Sequence, residues 1–234
     1  MAWQAVESSN QPQTWSVTLK PRVCGGKDKG IETEEEIVAK GPSYRVPFRR
    51  RREGRTDYQL RRRLILSGLP KLTIRGTLKS MVTQIIESKA AGDEVIASAH
   101  SGELKKTYGW QGACGNVPAA YLTGLLCGYR AAAKGVERAV LDLGLQSPSR
   151  GARVFAALKG VVDAGVNVSH DESVLPNEAR IGGHHIAEYA KNLSSNPEAY
   201  QRRFSTYMSR GLPPQQIPEH FSSVKKKIIS SFQG

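Results

Sequence analysis

Between residues 70 and 99 the apolar positions fall in three short runs, PKLTIR (70–75), SMVTQIIE (80–87) and EVIASA (94–99), rich in β-branched residues. Such runs predict strands. The links between them, Gly76-Thr77-Leu78-Lys79 and Lys89 to Asp93, are too short for a parallel crossover, so the strands form an antiparallel meander. After Asn116 the period lengthens. VPAAYLTGLLCGYRAAAKG (117–135) predicts a helix with a proline in its first turn, Lys134 in its last and Gly135 as its stop. Ala120, Gly124 and Gly128 recur every fourth residue, a smooth ridge along which this helix presses on a sheet. ERAVLDLGL (137–145) reads as a buried strand, and ARVFAALKGVVDAG (152–165) as a second helix with Val154, Leu158, Val161 and Gly165 on one face. Helix, strand and helix after a meander predict a layered α/β domain with a mixed sheet.

The flanks differ from this centre. Asn177-Glu178, Asn196-Pro197-Glu198 and Pro218-Glu219 each set a capping residue, a proline or an early acid where a helix begins, which predicts three short C-terminal helices. Upstream of the meander, Pro42 and Pro47 with Gly41 and Gly54 keep the chain extended. Thr56 or Asp57 then caps a helix reaching about Leu66, with Leu60 and Leu64 on one face and Arg61 to Arg63 around the other. Residues 1–37 carry more acids than bases and show no apolar period. The resulting division is an acidic extension (1–37), an extended basic arm (38–56), a globular α/β domain (57–190) and a helical C-terminal extension (191–234).

Charge sharpens the picture. The chain is formally +13, and from Val38 to Leu69 ten Lys and Arg face only Glu53 and Asp57. An excess this local implies a polyanionic partner, nucleic acid before anionic membrane, because the segment lacks the continuous apolar face that a membrane surface needs. The run Arg49-Arg50-Arg51-Arg52 repels itself unless phosphates or counter-ions neutralise it. Guanidinium forks match phosphate oxygens, and Tyr44, Phe48 and Tyr58 can stack on unpaired bases. The bland alternative is a solvated tail or a localisation signal. No apolar run nears the roughly 20 residues that cross a bilayer, and the N-terminus has no signal-peptide pattern.

Other chemistry is thin. Cys24, Cys114 and Cys127 are far apart and read as free thiols of a reducing cytosol. GWQGACGNVP (109–118) lacks the phosphate-loop lysine, but the helix beginning after Asn116 can receive an RNA phosphate at its N-terminus; the alternative is a tight turn that needs glycine. Asp142, Asp163 and Glu178 show no paired-acid spacing that would converge on a cation, and His184-His185 point apart on a helix. His100, His170 and His220 read as structural or surface residues. No catalytic residue, metal site, cofactor or small-molecule substrate is predicted.

Four blocks carry a resemblance: GPSYRVPFRRRREGRTDY, YGWQGACGNVPAAYLTGLLCG, LDLGLQSPSRGARVFAALKGVVDAG and VLPNEARIGGHHIAEYA. In this order they resemble ribosomal protein eighteen of the large subunit in its archaeal form, the 5S ribosomal RNA binder, from about Ala39 to the C-terminus. The resemblance implies a three-layer, ribonuclease-H-like α/β domain without nuclease acids, acting in the cytoplasmic ribosome. Its partners would be 5S rRNA, 23S rRNA and neighbouring large-subunit proteins. The arm residues Arg45, Arg49, Arg50, Arg51, Arg52 and Arg55 would thread between the two RNAs, with Phe48 and Tyr58 as RNA contacts beside them. Arg61, Arg62 and Arg63 on the basic helix, and Arg75 and Lys79 at the turn between the first strands, would approach RNA as well. Asn116 and, in the SPSRGAR stretch, Arg150 and Arg153 complete the candidate set. Residues 1–37 have no counterpart in the family. Val38 resembles the start of an ordinary member, so a misplaced start codon is expected, with a real acidic extension as the alternative.

Overall fold

The structure is a computed structural model that describes residues 41–233, and the expectations for residues 1–37 lie outside them. The chain divides into two units after Gly54. In the first unit, Arg49–Arg52 forms a single helical turn, α1, in which the Arg51 and Arg52 amides donate to the Phe48 carbonyl at 2.9 and 3.1 Å. This corrects the expectation that the arm, 38–56, is extended throughout. The prolines hold only residues up to Phe48 out of helix; beyond Phe48 nothing opposes arginine, a good helix former, until Gly54 turns left-handed at φ 60°.

The second unit opens with α2 (Tyr58–Leu66), whose first turn is capped by the Asp57 carboxylate accepting from the Gln59 and Leu60 amides. Strands β1 (Lys71–Gly76), β2 (Met81–Lys89) and β3 (Gly92–His100) make the expected meander. A seven-residue helix, α3 (Ser101–Thr107), follows, too short to leave a periodic signal but fixed by a capping box between His100 and Glu103. Then come α4 (Val117–Ala132), β4 (Arg138–Asp142), α5 (Arg153–Asp163) and a two-residue β5 (Asn167–Val168). The sheet order is β3-β2-β1-β4-β5, antiparallel among the first three and parallel from β1 through β4 to β5. This is the mixed α/β sheet that the sequence predicts, with helices on both sides.

The C-terminal part holds four helices instead of three: α6 (Glu178–Gly182), α7 (His184–Leu193), α8 (Pro197–Met208) and α9 (Ile217–Gln233). The extra break falls at Gly183, which is left-handed at φ 89° and sits where a Cβ would come within 2.8 Å of Ile217.

One face of the sheet, with Leu72, Ile74, Met81, Ile85, Ala97 and Ala99, packs on α4 and α5. The small-residue ridge of α4 meets α5, not the sheet. A Cβ at Gly124 would lie 2.0 Å from the Ala157 carbonyl oxygen, and one at Gly160 would lie 2.2 Å from that of Tyr121. Glycines on both helices let two backbones touch, which one ridge read alone could not show. Ile217, Phe221, Val224 and Ile228, spaced along one face of α9, enter this same core. On the opposite sheet face Lys71 is only 3% exposed. Its ammonium reaches Asp93 at 3.2 Å, and Asp93 also takes Arg61 of α2 at 2.9 Å, tying that helix down.

Candidate nucleic-acid interface

In the arm, Arg45 and Arg49 to Arg52 are all exposed. Successive residues of a helical turn are about 100° apart, so the four guanidinium groups of α1 point around its whole circumference instead of along one edge. Arg49 leans on Glu53 at 3.5 Å while remaining largely exposed, a weak surface pair. Phe48 is 76% exposed beside them. In the second unit Arg55, Arg62 and Arg63 are exposed, Tyr58 is half-buried, and Arg61 is held by Asp93. Alone, the partial burial of Asp93 would raise its pKa; hydrogen bonds and charge from Lys71 and then Arg61 outweigh this and hold it below the usual carboxylate value.

A second cluster forms where β1 turns into β2. Thr77 and Ser80 lock this turn: the Thr77 amide donates to the Ser80 carbonyl at 2.8 Å, the Ser80 amide to Thr77 Oγ1 at 3.0 Å, and the two hydroxyls meet at 2.8 Å. The tip presents Lys79 and a Leu78 that is 96% exposed. One guanidinium nitrogen of Arg153 donates to the carbonyls of Thr77 at 3.1 Å and Gly115 at 2.7 Å, clamping the turn to the loop before α4. A Cβ at Gly115 would stand 2.8 Å from the Leu78 carbonyl, so loop and turn are in backbone contact. Asn116 caps α4 through Oδ1, which accepts from the Ala119 amide at 2.9 Å. Arg75 donates to the Asp142 carbonyl at 2.7 Å and pairs with its carboxylate at 3.2 Å.

The candidates therefore separate by use. Arg75 and Arg153 spend guanidinium donors, and Asn116 its Oδ1, within the domain, whereas Lys79 and Arg150 are exposed. The structure brings Arg75, Lys79, Asn116 and Arg153 to one end of the sheet around the Thr77–Ser80 turn and the glycine-rich loop.

The far side of that loop is held by residues that sequence reasoning missed. Trp110 is fully buried and stacks on the His220 ring at a centroid distance of 5.1 Å. The Gln111 amide donates to His220 Nε2 at 3.1 Å and the Ala113 amide to the Tyr207 hydroxyl at 3.2 Å. Arg210 donates to the carbonyls of Gln111 at 3.2 Å and Gly112 at 2.9 Å. Burial first, and Lys227 second, lower the His220 pKa and favour the neutral ring that this acceptor role requires. No one-dimensional signal could have found these contacts, which span 94 to 109 residues.

The acids are dispersed: Asp142 faces Arg75, while Asp163 accepts from the Tyr121 hydroxyl and pairs with Lys159. Among the described residues no cluster of three His, Cys, Asp or Glu could hold a metal ion. Burial pushes the Cys127 thiol up to about 12 and also raises that of Cys114, so neither is a ready nucleophile.

Comparison with known proteins adds two findings. The family described as ribosomal large subunit proteins 60S L5 and 50S L18 matches residues 42–137 and 131–171. The large ribosomal subunit protein uL18 of Staphylothermus marinus is 51% identical over 197 residues, which span 84% of this chain and 98% of that relative.

Proposed function

Because the chain belongs to the family of ribosomal large subunit proteins 60S L5 and 50S L18, we propose that it binds 5S rRNA and helps attach it to 23S rRNA in the central protuberance. It is a large-subunit ribosomal protein of the archaeal form, and its place of work is the cytoplasmic ribosome. Neighbouring ribosomal proteins are its further partners. The observation that carries the RNA reading is the arm: Arg45 and Arg49 to Arg52 gather five cations on an exposed stretch with no buried residue, a charge density that suits an external polyanion. In the second unit Arg55, Arg62, Arg63, Lys79 and Arg150 are further exposed cations, with Tyr58 and Leu78 there, and Phe48 in the first unit, as stacking or wedging groups. Arg61, Arg75, Arg153 and Asn116 act in this reading by shaping the surface, because their hydrogen bonds are made internally.

Division of labour follows from the physics. Guanidinium groups radiating from α1 give affinity through phosphates, which carry little sequence information, while the clamped turn recognises the shape of a particular RNA fold. The test is filter binding of a 5S transcript across a salt series, with transfer RNA as competitor. A steep salt dependence with preference for the 5S transcript is expected; equal affinity for transfer RNA would leave only a general nucleic-acid chaperone.

A further inference from the structure

We infer that Tyr207, Arg210 and His220 are positioning residues for RNA recognition, acting as a C-terminal latch that sets the shape of the Thr77–Ser80 turn without touching RNA. The inference rests on the reading of that turn as RNA-facing.

The latch is built from three separate elements. Tyr207 comes from α8, Arg210 from the bend after it and His220 from α9, and each bonds a different backbone group of Gln111, Gly112 or Ala113. A loop spelled Gly-Trp-Gln-Gly-Ala-Cys-Gly-Asn has much backbone freedom to lose, and within it the Trp110 indole supplies a single bridge, to the Ala113 carbonyl at 3.2 Å. The C-terminal side chains supply the remaining order. Two residues beyond Ala113 the same loop reaches Gly115, whose carbonyl shares Arg153 with Thr77 and whose backbone abuts Leu78. Latch, loop and turn are therefore one connected chain of hydrogen bonds and contacts. Released at Gln111 to Ala113, the loop regains freedom at Gly112 and Gly115, and the turn loses the surface that fixes it. RNA would then have to order the turn on binding, which weakens affinity without removing a phosphate contact.

The test uses the full-length protein and a 5S transcript. His220→Phe retains a ring to stack on Trp110 but removes the acceptor; Tyr207→Phe removes only a hydroxyl; His220→Gln restores a neutral acceptor near the Nε2 position. The Phe variants should each bind about fivefold more weakly, the worth of one ordinary hydrogen bond, with an unchanged salt slope and a melting temperature lowered by about 2–4 °C. His220→Gln should recover wild-type affinity, which a merely space-filling histidine would not explain. Lys79→Ala is the control for the underlying reading, and should weaken binding and lower the salt slope. If Lys79→Ala binds like the wild type, it is the RNA-facing turn that fails. If Lys79→Ala weakens binding while both Phe variants match the wild type, the latch is overturned. A reduced salt slope in a latch variant would equally overturn it, by making that residue a phosphate contact.

Discussion

Arg51 and Arg153 carry the same guanidinium group and serve opposite ends. Arg51 stands exposed on a helical turn that buries nothing, so its donors face outward, whereas Arg153 is half-buried and bonded to two carbonyls that would otherwise lack this clamp. The arm is a charge device with almost no packing; the sheet end is a packing device that happens to use charge. A cation's role is thus decided by what surrounds it, and each region should fail in its own way.

The sharpest separation comes from the core. Gly124→Leu should cost more than about 3 kcal/mol, because the new side chain meets the α5 backbone and neither helix can retreat; loss of a cooperative urea transition is the readout. Replacing Arg49 to Arg52 with alanine should do the reverse. Calorimetry should find the domain's stability unchanged while RNA affinity falls by about a hundredfold or more and the salt slope drops by roughly three. An arm variant that unfolds the domain, or binds RNA as before, would erase the contrast.

Smaller effects test the intermediate cases. Asp93→Ala strands the nearly buried Lys71 ammonium and should cost about 2 kcal/mol in denaturant melts, discounted from a fully buried pair because Asp93 is partly open to solvent. Arg153→Met removes two hydrogen bonds and should cost about 1–2 kcal/mol, with most of the RNA salt slope retained. The mildest effect is acid sensitivity. The folded pKa of Asp93 is depressed, so its contribution is complete above the ordinary carboxylate pKa and is lost as pH falls through the folded value. The stability difference between wild type and Asp93→Asn should therefore hold down to about pH 5 and shrink as pH falls below about 4.

Much of the scaffold is legible in one dimension. The three strands, α4 with its proline start and Gly135 stop, and α5 all leave periodic or capping signals strong enough to place them. The short elements that escaped it share a cause. The helical turn Arg49–Arg52, the short helix Ser101–Thr107 and the two-residue strand Asn167–Val168 are shorter than the window over which a period declares itself. Of the candidate site, the exposed cations could be read from charge alone, because a run of four arginines has no interior to enter. Arg75, Arg153 and Asn116 looked the same in sequence, yet their partners Asp142, Thr77 and Ala119 make them parts of the frame. Tyr207, Arg210 and His220 gave no sign, since what they hold is backbone about a hundred residues away.

By itself the sequence determined where charge gathers, which segments coil or extend, and which family's blocks are present. These follow from neighbours within a few positions, where sterics, capping and self-repulsion act. Only the tertiary structure decided which cations are tied into the domain's own frame, that the ridge of α4 meets α5, and that α9 closes the core behind the glycine-rich loop. Those outcomes depend on hydrogen bonds and contacts of a few ångströms between residues distant in the chain, a distance that no local pattern encodes.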